Sequence, residues 1–320
     1  MDIGIPLFPE QASDLARDVD MLFFFLIAVS MFFVFLIGAL LIYFIVKFRR
    51  RSNADRPDAT RSHAGLEIAW TVIPLILTMI MFVWGAVLFF KQSRPPSDAM
   101  EILVVGKQWM WKIQHPTGHT EINELHVPLG QPVKLNMTSE DVIHSFYVPA
   151  FRVKMDVLPG RYTTAWFTPN RTGRFHLFCA EYCGTEHSKM VGSVNVLTPV
   201  EYERWLAGEV GDTPADTPVE AGRRLFTQLG CATCHHPDAG ALGPDLAGVF
   251  GSEVTLADGR TVVADEDYLR QSILDPRATL VDGYEPIMPT FRGLVNEQQL
   301  MQLISYIKSL GDAGETGEGM

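Results

Sequence analysis

The chain of 320 residues contains only four cysteines, and none of them stands alone. All four fall in two short motifs, so no thiol remains for a structural disulfide, and cysteine serves chemistry here rather than stapling. Charge is missing from two long stretches. Residues 21–46 are 26 positions without a charged side chain, and residues 68–90 are 23 more, interrupted only by Pro74. The N-terminus lacks the basic start of a signal peptide: its first twenty residues hold five acids and one arginine, and the apolar run behind them is too long for a signal core. No internal repeat is present. The formal net charge is −11, and no nucleic-acid partner is expected.

At about 1.5 Å per residue the first uncharged stretch is roughly 39 Å long as a helix, more than the ~30 Å hydrocarbon core, so it can cross a membrane with tilt. The second is long enough too, and a membrane helix tolerates Pro74 as a kink. Neither has a polar face, which excludes a pair of ordinary surface helices. Between them Lys47, Arg49, Arg50, Arg51, Arg56 and Arg61 face only Asp55 and Asp58, which keeps the loop 47–67 on the cytoplasmic side. Both termini then lie outside.

Residues 179–190 read C-A-E-Y-C-G-T-E-H-S-K-M, and residues 231–235 read C-A-T-C-H. In the first motif two thiols, an imidazole and a thioether crowd twelve positions, a donor set suited to copper. One cysteine suffices for a mononuclear site; two on a tight loop can bridge a pair of coppers, so that a shared electron moves with little change of geometry. The second motif is the c-type haem attachment pattern, two cysteines for thioethers and a histidine for iron.

Short β-prone runs at 102–105, 126–127, 133–137, 163–167, 175–178 and 191–197, separated by turn signals at 129–132, 158–160 and 170–173, predict a sandwich or barrel with the copper loop between its last two strands. Residues 208–220 are rich in Gly, Pro and acid and read as a linker. Helical patterning follows. Asn296 is placed to cap a last helix with Gln299 at its third position, and the Gly- and Glu-rich tail from Gly311 reads as disordered. Charge divides unevenly, with 15 acids and 7 bases over 218–320 but 11 and 10 over 98–205, so a docking partner of the C-terminal module is expected to bring a basic patch.

Two N-terminal spans, D-V-I-H-S-F-Y-V-P around His144, D-V-L-P-G-R at 156–161 and the copper loop resemble subunit II of haem-copper cytochrome c oxidases, and the C-terminal module resembles the fused cytochrome c of the caa(3) type. The likeness spans nearly the whole chain. It implies an extracytoplasmic segment 1–20, a transmembrane hairpin 21–93, a cupredoxin-like CuA domain 94–205, a linker 206–219, an all-α class I cytochrome c domain 220–311 and a tail 312–320. It implies that Cys179 and Cys183 bridge the two coppers, with His144 and Met190 completing one shell and His187 and the Glu181 carbonyl the other. The Glu181 side chain is expected at a magnesium ion shared with subunit I. Trp109, in G-K-Q-W-M-W, is where electrons from cytochrome c reach CuA in that family, whereas Trp111 reads as core. Glu67, at the cytoplasmic start of the second span, matches a proton-uptake carboxylate. His115, His119, His126 and His176 have no matching role and read as structural or surface residues.

In the haem module, Cys231 and Cys234 are expected to hold haem c covalently, His235 and Met288 to take its iron, and the Pro244 carbonyl to orient His235. Gly222 and Phe226 on the first helix, with Leu303 and Tyr306 on the last, resemble the helix crossing of class I cytochromes c. The implied role is electron-receiving subunit of a proton-pumping terminal oxidase in a bacterial inner membrane, with CuA and haem on the periplasmic side, subunit I and other oxidase subunits as partners, and cytochrome c or another donor. Oxygen would be reduced in the partner chain. A CuA subunit of a nitric oxide reductase is an alternative that this chain alone does not separate, and a membrane-anchored copper chaperone is a third reading, opposed by the two spans and the β-rich region.

Overall fold

The computed structural model describes residues 8–49, 63–208, 217–237 and 241–312. Arg50, Arg51, Arg56 and Arg61 of the inter-span loop, most of the expected linker and the tail beyond 312 lie outside these residues. Two long helices come first, α1 (Asp14–Lys47) and α2 (Ala64–Ser93). Their apolar stretches are exposed except along the stripe where the two helices meet, at Phe25 and Trp84 with ring centroids 5.4 Å apart, and Phe35, Ile45, Val46 and Phe82 are each more than two-thirds exposed. A helix pair whose outward faces are apolar throughout finds its solvent in lipid.

Both helices outrun their uncharged stretches. α1 begins seven residues before position 21, because Ser13 caps it by accepting the Ala16 amide. The expected free segment 1–20 is therefore partly helix. Its first turn is rooted in the β-domain, where Ala12, Leu15 and Ala16 are buried and Asp20 takes two hydrogen bonds from the Arg152 guanidinium, at 2.8 and 2.9 Å. Lys91 of α2 reaches Asp18 of α1 at 2.5 Å, and the Trp166 indole donates to the Lys91 carbonyl. The anchor and the β-domain are thus tied by several polar contacts at the point where the spans leave the apolar zone.

The β-domain is two five-stranded sheets. In chain order its strands are β1 (Met100–Lys107), β2 (Met110–Gln114), β3 (Thr120–Ile122), β4 (Glu124–Pro128), β5 (Val133–Ser139), β6 (His144–Val148), β7 (Val153–Val157), β8 (Thr163–Phe167), β9 (Gly173–Cys179) and β10 (Val191–Leu197). One sheet runs β3-β2-β1-β5-β8 and the other β4-β10-β9-β6-β7. Alternation puts Ile102, Val104 and Leu135 of the first sheet against Phe146, Leu177 and Val194 of the second, all fully buried. This is the expected cupredoxin-like sandwich. Four strands, β2, β3, β6 and β7, were not among the expected runs.

Helix α3 (Pro199–Leu206) closes the domain behind a capping box of Thr198 and Glu201. The haem module consists of α4 (Pro218–Gln228), a single turn α5 (Cys231–Cys234), a small hairpin β11 (Glu253–Thr255) and β12 (Thr261–Val263), α6 (Glu266–Leu274) and α7 (Glu297–Asp312). The hairpin is an addition to the expected all-α module. α7 is capped by reciprocal bonds between Asn296 and Gln299, as the sequence predicts, but it continues through Gly311 to Asp312, which shortens the expected disordered tail. Helices α4 and α7 cross so closely at Gly222 that a Cβ there would lie 2.0 Å from the Gln302 carbonyl, and Phe226 meets Tyr306 edge-on at 5.3 Å.

Candidate metal centres

Strand pairing assembles the first centre. β6 pairs with β9 in the register Phe146↔Cys179, which brings His144 at the start of β6 to Cys179 at the end of β9. The loop between β9 and β10 then returns Cys183, His187 and Met190 to the same place. Cys179 Sγ stands 3.8 Å from Cys183 Sγ and 4.0 Å from His144 Nδ1, while Cys183 Sγ stands 3.4 Å from His187 Nδ1 and 3.7 Å from Met190 Sδ. The Glu181 carbonyl lies 3.2 Å from Cys179 Sγ, whereas the Glu181 side chain is exposed. His144 and Met190 are fully buried. The donor set of two sulfurs, two imidazoles, a thioether and a carbonyl within one pocket fits a soft-metal pair.

The pocket also orients its donors. His144 Nε2 lies 2.8 Å from Asp141 Oδ1, so the ring turns Nδ1 toward the thiols, and Asp141 is itself held by the Gln108 amide at 2.8 Å. Gly106 leaves room for that ring: a Cβ there would lie 2.9 Å from His144 Cδ2. Cys179 and Cys183 share a hydrogen bond between their sulfurs, which holds Cys179 down at about 3 against the opposing effect of burial and, together with burial, drives Cys183 upward.

The second centre is an apolar crevice with Cys231, Cys234, His235, Leu246 and Met288 in its wall. His235 Nδ1 donates to the Pro244 carbonyl at 2.8 Å, which leaves Nε2 as the free ligand atom, and burial pulls the His235 pKa down so that the ring is neutral. Burial pushes the thiols the other way from Cys179, to about 12 for Cys231 and about 11 for Cys234. A covalently held haem fits this wall: apolar sides, two free thiols and a histidine oriented by a backbone carbonyl. His236 points instead to Lys189 of the copper loop, with Nε2 3.5 Å from Nζ.

The two centres share a wall. Gln108, Trp109 and Met110 line the haem crevice, and Gln108 Nε2 donates to the Cys183 carbonyl at 2.7 Å. Trp109 is 8% exposed and lies so near Gly184 that a Cβ there would be 3.1 Å from its ring. Trp109 Nε1 is buried and has no hydrogen-bond partner among the described residues. Met110 and Ile122 belong to the apolar core of the haem module, so the two domains share buried surface as well. Trp111 is completely buried, edge-on to Phe146 at 5.3 Å. Glu67 is exposed in the first turn of α2.

Sequence reading missed Asp141 and Gln108, although Asp141 lies only three positions before His144. It also missed a second polar cluster, in which Glu121 is bonded by both His115 and His126. The two histidines, expected to be structural or surface residues, meet on one buried carboxylate.

Three family models match: the transmembrane domain of cytochrome c oxidase subunit II over residues 2–86, its periplasmic domain over 120–197, and cytochrome c over 219–311. The chain is 31% identical over 283 residues to cytochrome c oxidase subunit 2 of Alkalihalophilus pseudofirmus, covering 84% of this chain and 81% of that protein. It is 28% identical over 253 residues to cytochrome c oxidase subunit 2 of Thermostichus vulcanus, covering 62% and 77%. Among solved structures, the periplasmic domain of subunit II of cytochrome oxidase of Bradyrhizobium japonicum aligns over 36% of this chain and 96% of its own, at 31% identity and a TM-score of 0.35. These relatives are oxidase subunits, and neither the nitric oxide reductase nor the copper-chaperone reading is favoured.

Proposed function

The chain belongs to the cytochrome c oxidase subunit II family, with a cytochrome c domain fused at its C-terminal end, and from that premise we propose how its residues divide the work. It is the electron-transfer subunit of the oxidase, anchored by two helices, with its β-domain and haem module outside the membrane and subunit I as its partner in the complex. CuA copper and haem c, when bound, each take up one electron and give it back.

We assign Cys179 and Cys183 as the two bridging thiolates, His144 and Met190 to one copper, and His187 with the Glu181 carbonyl to the other. Asp141 sets the His144 tautomer. Cys231 and Cys234 hold the haem, and His235 and Met288 its iron. Gln108 and Trp109 bring the two centres together: the indole closes the haem crevice on one side and meets the copper loop on the other. The haem module covers Trp109, the residue at which the family admits electrons, so a soluble donor delivers to the haem module first. The acidic balance of that module favours a donor with a basic patch, such as a cytochrome c. The exposed Glu181 carboxylate is assigned to a magnesium ion at the subunit I boundary, Glu67 to proton uptake from the cytoplasm, and the assembly to a bacterial inner membrane.

The observation that carries this reading is the shared wall, Trp109 packed between crevice and copper loop. Trp109→Leu in the loaded protein tests it. The haem and copper spectra are expected to stay unchanged while haem-to-copper transfer slows at least about tenfold, roughly 1.4 kcal/mol on the barrier. An unchanged rate with intact spectra removes Trp109 from the route.

A further inference from the structure

Outside both centres, the corner between β3 and β4 gathers carboxylates and imidazoles. Asn123 takes a left-handed φ of 59°, and around it stand Glu121, Glu124 and His126. Glu121 is buried, with Oε1 2.6 Å from His115 Nε2 and Oε2 2.5 Å from His126 Nδ1. Glu124 accepts from Gln228 Nε2 at 3.0 Å, across the seam to α4 of the haem module, and Arg174 approaches it at 3.4 Å. One ligand atom from each of Glu121, Glu124 and His126 lies within 4.8 Å of the other two.

We propose that Glu121, Glu124 and His126 hold a divalent transition-metal cation of the zinc type at the seam between the β-domain and the haem module. One imidazole and two carboxylates are ordinary zinc donors, with a water as the fourth. Two carboxylates offset the ion's double charge, whereas in the metal-free state they must share one corner. His126 Nδ1, which faces Glu121 Oε2, is the ligand atom. His115 already grips the other Glu121 oxygen, and its second nitrogen meets the Tyr202 hydroxyl at 3.1 Å, so that ligand is oriented before any metal arrives. His126 is stacked on Trp205 of α3, with centroids 4.5 Å apart.

Burial is the main cause that raises the Glu124 pKa, and a cation beside it would restore the carboxylate. Arg174 and the rings of His115 and His119 are the positive or potentially positive groups that a bound cation has to tolerate. Arg174 is exposed and can swing away. Copper and zinc are sorted by donor type: the sulfur-rich loop suits the softer metal and this corner the harder one.

The test uses the purified oxidase with copper and haem loaded, cleared of loose metal with a chelator and titrated with zinc chloride. Bound zinc is counted by elemental analysis, and its neighbours are read by X-ray absorption at the zinc edge. Wild type is expected to hold one zinc per chain more than Glu124→Gln, with nitrogen and oxygen neighbours and no sulfur. Glu124→Gln and His126→Ala are each expected to weaken binding at least about tenfold, the lower end of what losing even an outer-shell partner costs. Unchanged copper and haem spectra in these variants exclude general unfolding as the cause. A sulfur neighbour in wild type, no retained zinc, or equal binding in wild type and both variants overturns the proposal. The wild-type absorption spectrum stands whether or not the variants fold.

Discussion

The chain's two cysteine pairs differ by one residue in spacing, yet their surroundings give them opposite acid-base character. At the copper loop, Cys179 shares a hydrogen bond with Cys183 and faces His144, and its pKa falls to about 3. In the haem module, Cys231 and Cys234 have little besides burial acting on them, and their thiols rise to about 12 and 11. The first pair is half prepared as a metal ligand before any metal arrives, since the thiolate is the ligating form. The second remains neutral, as suits sulfurs that end in covalent thioethers while His235 and Met288 serve the iron. Spacing names a candidate centre; the hydrogen bonds around it decide its chemistry.

The largest expected break in this comparison is Cys183→Ser. One bridging thiolate cannot hold the copper pair, so the near-infrared mixed-valence band should vanish while the haem spectrum is untouched. Two coppers per chain by elemental analysis, with the band retained, would falsify the bridging assignment. Met288→Ala attacks the other side. Haem should remain attached through Cys231 and Cys234, the sulfur-to-iron charge-transfer band should be lost, and the reduction potential should fall. Survival of that band makes another residue the sixth ligand.

A smaller effect sharpens the role of the supporting bonds. Asp141→Asn keeps the shape of the side chain beside His144 but weakens its hold on the ring, and copper affinity should drop about 10- to 100-fold with no change at the haem. Equal affinity in a copper competition assay limits Asp141 to a structural contact. The smallest effect is expected at Glu67, far from both pairs. Glu67→Gln should slow steady-state oxygen consumption while leaving first-turnover haem-to-copper transfer as in wild type. Wild-type turnover across the pH range makes Glu67 a solvated residue at a helix end.

Legibility followed the range of the interactions involved. The two spans, the copper loop, the haem motif and the Asn296 cap depend on residues close together in the chain, and each could be seen there. The strands β2, β3, β6 and β7 could not. Trp109-Met110-Trp111 has no polar alternation, since Trp109 and Trp111 pack into the sandwich core while Met110, on the other face, is buried against the haem module. α1 starts among acids that look like a solvated tail until Arg152, 132 positions later, pairs with Asp20. The capping box that opens α3 stands in T-P-V-E, but the short helix behind it has no long apolar stripe to mark it. The Glu121 cluster needs β2, β3, β4 and α3 in place before its histidines meet, and no local spacing announces it.

Haem module and copper loop form one relay within a single chain, joined at Trp109. Rapid photoreduction of the purified, fully loaded protein, following the haem in the visible and the copper pair in the near infrared, tests it most directly. Haem reoxidation and copper reduction are expected to share one first-order rate constant, unchanged when the protein is diluted tenfold and absent in Cys183→Ser. A rate that falls in proportion to dilution would mean that electrons pass between molecules, and would contradict it.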